Sequence, residues 1–381
     1  MSVAPAVNTT GVKWCRRRPI ESVLTALGSS LVMTEQLVIA LDAMGGDHAP
    51  DMVVGGAALA CVRFPGLNFL LYGDSAQLGR LVARHAVLAG RVEIRHTDEI
   101  VRSDDKPSTA LRGARKSSMR LAINAVHDGE AGAAVSAGNT GALMAMAKFV
   151  LKTLPGIDRP AIITAVPTMR GMCCLLDLGA NVQCSAENLV QFAVMGEVFA
   201  RTVLGVQKPT VGLINIGIEE IKGNEAVREA AAVLRESSLP LEFKGFIEGD
   251  DVAAGTVDVA VTDGFTGNVA LKMAEGTAKL ITSFLREAYR SNWRARLGYL
   301  LSRPALARLR ERADPRRYNG AIFVGLNGIV VKSHGSTDAL GFSNAIGVAV
   351  NMATNGFIPK IRQDFERLRS EMQAPDQTPV A

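Results

Sequence analysis

The residues best suited to chemistry lie where apolar runs end in glycine-rich polar loops. Ile39-Ala40-Leu41 empties into Asp42-Ala43-Met44-Gly45-Gly46-Asp47-His48-Ala49-Pro50, which sets two acids, paired glycines and a histidine just before a helix can begin. Gly45 and Gly46 let the backbone turn sharply and approach a bound anion. Three further apolar runs end in small polar loops: Ser136-Ala137-Gly138-Asn139-Thr140-Gly141, Asp177-Leu178-Gly179-Ala180-Asn181 and Asp263-Gly264-Phe265-Thr266-Gly267-Asn268. Backbone N–H groups at helix starts, with Asn139, Thr140, Thr266 and Asn268 as side-chain donors, could hold and aim an anion. The same residues would also serve as plain helix caps.

Cations stand close to these loops in the sequence. Lys222 lies between an acidic pair and Gly223-Asn224, where a helix starts, and Lys272 falls four positions after Asn268, on the same helix face. Either could stabilise an oxyanion that develops during a reaction. Lys106 precedes Pro107-Ser108, which also explain themselves as a helix start. Asp42, Asp177 and Asp263 each end an apolar run, as turn caps or as acceptors of a substrate proton, with Asp263 foremost for the second role. His48 and His334 sit in glycine-rich motifs, and His334 suits a general acid or a structural hydrogen bond.

The elements that must position these residues alternate between two periods. Strands are expected at 37–41, 68–72, 92–96, 133–136, 161–166, 172–177, 210–214, 243–247 and 257–262. Helices are expected at 107–127, 185–202, 223–237 and 267–289. This alternation predicts an α/β fold, lobed and three-layered (α/β/α), with a mostly parallel sheet and ligands at the carboxyl ends of its strands. The body is expected over residues 36–370 as one catalytic unit or two lobes, with residues 1–35 an extension outside the fold and 371–381 a flexible tail. Neither the dinucleotide Gly-x-Gly-x-x-Gly nor the Walker Gly-x-x-x-x-Gly-Lys-Ser/Thr pattern occurs, so nucleotide chemistry loses its main support.

Bulk properties narrow the class. The 381 residues are 48% hydrophobic and 21% charged, the balance of a soluble globular protein, and no apolar run is long enough to span a bilayer. Five cysteines without Cys-x-x-Cys spacing encode neither a disulfide framework nor a zinc site; Cys173 and Cys174 lie in an apolar run and read as buried small hydrophobes. No metal is expected. The net charge of +5 is uneven, because Arg286 to Arg317 holds ten arginines against Glu287, Glu311 and Asp314, a local +7. Residues 284–317 also carry Trp293, Leu297, Leu300 and Leu301, and Pro304 is expected to break the helix after Arg303. The expectation is a projecting pair of short amphipathic helices, with Arg308, Arg310 and Arg312 at its rim, that meets an anionic membrane surface, an acidic carrier protein, or both.

The ordered motifs carry a specific resemblance. The loop from Asp42 to Pro50, Asp105-Lys106-Pro107-Ser108, Ser136 to Gly141, Leu176 to Asn181, Asn215-Ile216-Gly217, Glu220 to Glu225, Glu248-Gly249-Asp250, Thr262 to Lys272 and Ser333 to Ser336 follow one another as in the phosphate acyltransferase family of bacterial phospholipid synthesis. The chain resembles that family over residues 37 to 350. The resemblance implies transfer of a fatty acyl group from acyl carrier protein to inorganic phosphate, feeding phosphatidic acid synthesis, in a fold similar to isocitrate/isopropylmalate dehydrogenases and phosphotransacetylases. It implies catalytic roles for Lys222, Asp263, Lys272 and His334. Substrate contacts would come from Asp42, Gly45, Gly46, His48, Lys106, Ser136, Gly138, Asn139, Thr140, Asp177, Asn181, Asn224, Gly264 and Asn268. It further implies a cytoplasmic homodimer, peripheral to the membrane, without cofactor or nucleic acid, whose product goes to a membrane glycerol-3-phosphate acyltransferase. Two competing readings are a short-chain phosphotransacylase acting on coenzyme A thioesters and a non-catalytic scaffold that recruits acyl carrier protein.

Overall fold

The computed structural model describes residues 37–373 apart from 238, 240 and 313. The expected extension and residues 374–381 of the expected tail lie outside the described residues. Eleven strands form one sheet. They are β1 (Val38–Asp42), β2 (Asn68–Gly73), β3 (Val92–His96), β4 (Ala133–Ser136), β5 (Ala161–Thr168), β6 (Gly171–Leu176), β7 (Thr210–Ile214), β8 (Glu242–Ile247), β9 (Val259–Val261), β10 (Ala321–Val324) and β11 (Ile329–Lys332). Their order across the sheet is β3-β2-β1-β4-β11-β10-β5-β6-β9-β7-β8.

Strand alternation builds a core on each face of the sheet. Ile39 and Leu41 of β1 join one buried cluster while Ala40 joins the other. The first cluster includes residues of α1 (Asp51–Arg63) and, further on, of α6 (Ala186–Phe199), α11 (Ala339–Thr354) and α12 (Phe357–Gln373); the second includes residues of α3 (Pro107–Gly113), α4 (Ser118–His127) and α5 (Thr140–Leu151). Between α1 and α3 lies the short α2 (Ser75–Val82). The α6 helix (Ala186–Phe199) is buried from Asn188 to Phe199, and Ser185 starts it with a capping box to Asn188. The chain continues through α7 (Glu225–Glu236), α8 (Gly249–Ala254), α9 (Gly264–Arg290), α10 (Trp293–Arg312), α11 (Ala339–Thr354) and α12 (Phe357–Gln373). The three layers and the mostly parallel sheet are those expected from sequence.

Three features depart from the sequence reading, and each has a local cause. The expected helix over 107–127 is two helices, because Ser117 donates to the Ala114 carbonyl at 2.8 Å and caps α4 by accepting from Arg120 N. The break places Ser118 against β1. The hairpin β10–β11 was absent from the expected strands, since two four-residue runs around Gly325-Leu326-Asn327-Gly328 are too short for a clear period. Lastly, α10 runs through Pro304 without a break. The chain reverses earlier, at Ser291-Asn292, where the Asn292 carboxamide accepts from Ala295 N at 2.9 Å. Pro304 removes one N–H on a helix whose leucines are exposed, so water can satisfy the carbonyl it leaves.

Insertion of β10 divides the sheet into two parallel halves. β1, β2, β3, β4 and β11 run one way, whereas β6, β7, β8 and β9 form a second parallel set. Three antiparallel pairings, β11–β10, β10–β5 and β5–β6, separate them and reverse the direction. The polar loops therefore gather at two carboxyl edges, one per half.

Candidate functional site

The first cluster lies at the ends of β1, β4 and β11. Asp42 is buried and accepts the Ser118 and Ser136 hydroxyls, each at 2.6 Å, with Met44 N at 3.4 Å. Burial raises its pKa above the usual carboxylate value while these donors pull it back. Ser136 Oγ also accepts from Gly138 N at 3.0 Å. Gly45 has no room for a side chain, because a Cβ would fall 2.4 Å from Asp42 Oδ2 and 2.8 Å from Gly138 N. Asn139 caps α5 through Ala142 N and donates to the carbonyls of Ser103 and Asp105 at 2.9 and 3.0 Å, which holds the loop of Lys106 against the exposed start of α5 at Thr140. Asp47 N donates to the Gly335 carbonyl at 2.9 Å and joins the Gly46-Asp47-His48 loop to that of His334. The His334 Nδ1 lies 3.0 Å from the Ser336 hydroxyl.

Lys332 belongs to this cluster and was missed by the sequence reading. It ends β11, pairs in register with Ser136, and donates from Nζ to the carbonyls of Ala137 (3.3 Å) and Ser333. Burial pushes its pKa down to about 8, against the pull of Asp42 and Asp47. The available signal was the pattern of β1, an apolar run, Ile329-Val330-Val331, that ends in one charged residue before a glycine motif.

The second cluster lies at the ends of β6, β7 and β9. Asp177 is buried and accepts from Ile162 N, Gly179 N and Ala180 N on Oδ1 and from Asn181 N and Nδ2 on Oδ2. Asn181 Nδ2 also reaches the Pro160 carbonyl at 2.8 Å, and its own carbonyl accepts from Gly264 N at 2.7 Å. A Cβ on Gly264 would meet that carbonyl at 2.7 Å, so only glycine lets α9 start so near. Asp263 caps α9, accepting from Thr266 N and Oγ1 at 2.9 and 2.8 Å. Asn268, one turn further, overhangs Gly179. Next to these, Asn224 caps α7 through Val227 N, and Asn215 Nδ2 donates to the Lys222 carbonyl at 3.0 Å.

The two favoured lysines are exposed and paired with neighbours on the chain. Lys222 lies 2.8 Å from Glu219, whose hydrogen bond raises its pKa, and Lys272 lies 2.9 Å from Glu275. An exposed pair of this kind contributes little to folding, so both ammoniums can be drawn to a bound anion at small cost. The α9 helix starts at the second cluster and carries charges toward the first. Burial lowers the pKa of His334 first, then Lys332, with further push from Lys272 and Lys279 and an opposing pull from Glu275, so this stretch of α9 runs within electrostatic range of the β11 loop. The structure thus brings Asp42, Gly45, Gly46, Ser136, Gly138, Asn139 and His334 together at one edge. At the other it gathers Asp177, Asn181, Asp263, Gly264 and Asn268.

Cys184 lies beside the second cluster, where its thiol donates to the Asn181 carbonyl at 3.9 Å and burial pushes its pKa up to about 11, whereas Cys173 and Cys174 lie in the core. Burial pushes Cys173 up to about 12 and Cys174 well above the usual thiol value, so both are protonated thiols at neutral pH, as expected of small core residues. Among the described residues no group of His, Cys, Asp and Glu has the arrangement of a metal site, and no helix is long and apolar enough to cross a membrane. On α10, Trp293, Leu297, Leu300 and Leu301 are exposed, as are Arg308 and Arg310, while the side chain of Arg312 lies outside the described residues. Tyr289 and Tyr299 meet edge to face at 5.4 Å and hold α9 to α10.

A family model described as fatty acid synthesis protein matches residues 37–360. The phosphate acyltransferase of Rhodospirillum centenum is 59% identical over 347 residues, which are 91% of this chain and 98% of that protein. That of Rhodospirillum rubrum is 60% identical over 337 residues, 88% of this chain and 97% of the relative. Among solved structures, a phosphotransacetylase from Streptococcus pyogenes matches with a TM-score of 0.60 at 16% identity, covering 88% of this chain and 99% of that one. A 4-hydroxythreonine-4-phosphate dehydrogenase from Klebsiella pneumoniae matches at 0.50 and 14%, covering 84% and 100%. At such identities the likeness is one of fold, and it is the likeness expected from sequence.

Proposed function

We propose that this chain, which belongs to the phosphate acyltransferase family, transfers a fatty acyl group from the thioester of acyl carrier protein to inorganic phosphate. That it is an acyltransferase follows from the relatives; the carrier, the fatty chain and the place in phospholipid synthesis are the proposal. The observation that carries it is the pair of glycine-lined clusters, with the exposed Lys222 and Lys272 on the segments that follow β7 and β9, in a family named for phosphate. A phosphate oxygen attacks the thioester carbonyl, a C–O bond forms and negative charge gathers on the carbonyl oxygen. Collapse of the intermediate breaks the C–S bond, and the departing thiolate takes up a proton. Phosphate is already a competent nucleophile, so the protein must strip it of water, aim it and stabilise the oxyanion. Lys222, Lys272 and Asn268 are assigned to the oxyanion, and His334 to the proton for the thiolate.

The apolar flank of α9 and α10 supports two further parts of the reading. Phe265, Val269, Met273, Leu280, Ile281 and Phe284 are exposed along α9, more apolar surface than a lone helix leaves to water, which suits a homodimer. Trp293, Leu300 and Leu301 among arginines suit peripheral contact with an anionic membrane or the acidic carrier protein, from which a membrane glycerol-3-phosphate acyltransferase would receive the product. The direct test incubates the full-length protein with long-chain acyl carrier protein, phosphate and a chelator, and reads the products by mass spectrometry. Acyl phosphate and free carrier are expected. Absence of acyl phosphate, or a requirement for nucleotide, overturns the assignment.

A further inference from the structure

Three adjacent parallel strands end in one polar row. Lys332 of β11 stands in register with Ser136 of β4, whose hydroxyl reaches Asp42 of β1 at 2.6 Å, so carboxylate, hydroxyl and ammonium lie side by side at the carboxyl edge of the sheet. Asp42 and Lys332 are two strand spacings apart, roughly 9–10 Å. No ion pair joins Lys332 to a carboxylate among the described residues, and its acceptors, the carbonyls of Ala137 and Ser333, occupy two of its three N–H groups. A lysine kept only for stability would be expected to contact its counter-charge, since a half-buried ammonium without one is costly. Here Asp42 is satisfied instead by hydroxyl and amide donors, and the lysine spends its bonds on the loops that follow β4 and β11.

We infer that Lys332 is the positioning residue of the phosphate seat, tying the Ala137-Gly138-Asn139 loop to the Ser333-His334-Gly335 loop and supplying the positive charge behind them. The inference rests on the acyl-transfer reading and places phosphate at the β1–β4–β11 edge. Around the ammonium, the start of α5 offers the amides of Thr140 and Gly141, and the glycines leave the backbone bare. The charged and titratable groups that face it are Asp42 from β1, Asp47 from the loop after it, and His334 from its own loop, with Lys272, Glu275 and Lys279 of α9 beyond His334.

The test separates this role from the overall activity. Inorganic phosphate is titrated calorimetrically into the full-length protein without thioester, and steady-state constants are measured for Lys332→Met, Lys332→Arg and the charge-balanced pair Lys332→Met with Asp42→Asn, which covers the case in which the single methionine variant does not fold. Lys332→Met should weaken phosphate binding and raise KM for phosphate roughly 10- to 100-fold, the range lost with one charge-assisted hydrogen bond, and leave KM for the thioester within about threefold. Lys332→Arg should recover most of the phosphate affinity. KM for phosphate should rise in the wild type as pH climbs past about 8, where the ammonium discharges, and this limb should move upward in Lys332→Arg. Unchanged phosphate affinity in the folded variants, or an equal rise in both Michaelis constants, overturns the inference. Phosphate binding by Lys332 with no acyl phosphate from the wild type would overturn the reaction instead.

Discussion

Replacing Asp177 with asparagine tests whether a buried carboxylate at the second edge builds the site or acts in it. Oδ1 accepts three backbone N–H groups at 2.9, 3.2 and 3.1 Å, and Oδ2 accepts two donors of Asn181 at 2.7 and 2.9 Å. Asparagine has one carbonyl oxygen, so even its better orientation turns an NH₂ toward the two Asn181 donors. Asn181 N is then left without an acceptor, while Nδ2 keeps the Pro160 carbonyl and loses one of its two bonds, together a cost of about 2–4 kcal/mol. Part of this is returned, because burial holds the pKa of Asp177 above the usual carboxylate value and the neutral amide avoids that penalty. The net expectation is a loss of about 2–3 kcal/mol at pH 7, read as a lower urea midpoint with unchanged m. Turnover of the folded variant should stay within about tenfold of wild type, since every acceptor site of Asp177 is already occupied and no oxyanion donor is lost. A variant as stable as wild type but inactive would refute the reasoning and make Asp177 a group that acts on substrate.

Lys222→Ala and Lys272→Ala should each lower turnover by roughly 100- to 1000-fold, the cost of losing one oxyanion donor, while Cys173→Ser keeps far more activity; near-normal turnover in the folded lysine variants contradicts their roles. Glu197 is pushed up to about 7 by burial, against the pull of Arg201, so the folded state binds a proton that the unfolded chain, with its carboxyl near 4.5, releases. Stability should therefore rise as pH falls from about 7 toward 4.5, and Glu197→Gln should flatten that stretch of a denaturation–pH curve. Leu300→Glu with Leu301→Glu should reduce sedimentation with anionic vesicles and spare turnover of soluble substrate. Unchanged sedimentation makes α10 purely structural.

Much of the fold was legible because its signals are local. β1, β4 and β7 are buried on both faces and read as unbroken apolar runs, and Ser185 or Asn224 before a helix announces its start through a cap that needs only neighbouring residues. What failed was tertiary. Nothing in the period of residues 107–127 says that Ser117 will cap a second helix, because the benefit of the break is the distant bond from Ser118 to Asp42. Pro304 looked decisive on local grounds, yet the helix runs through it, because on an exposed helix water can satisfy the carbonyl it leaves.

The same division runs through the site. Glycines, asparagines and strand-ending aspartates announced themselves by composition, since close backbone approach admits few other residues. Their structural work was less visible: Asp42, Asp177, Asp263 and Asn224 each hold the loops that shape the edges. Lys332 shows why the remainder was hidden. It is one charge at the end of a four-residue strand, and its meaning comes from register with Ser136 and Asp42, residues distant in sequence that only the sheet order β1-β4-β11 brings into one row. Register between non-consecutive strands leaves no trace in local pattern, so a site built across such strands offers its loops to sequence reading and keeps its counter-charges for the structure.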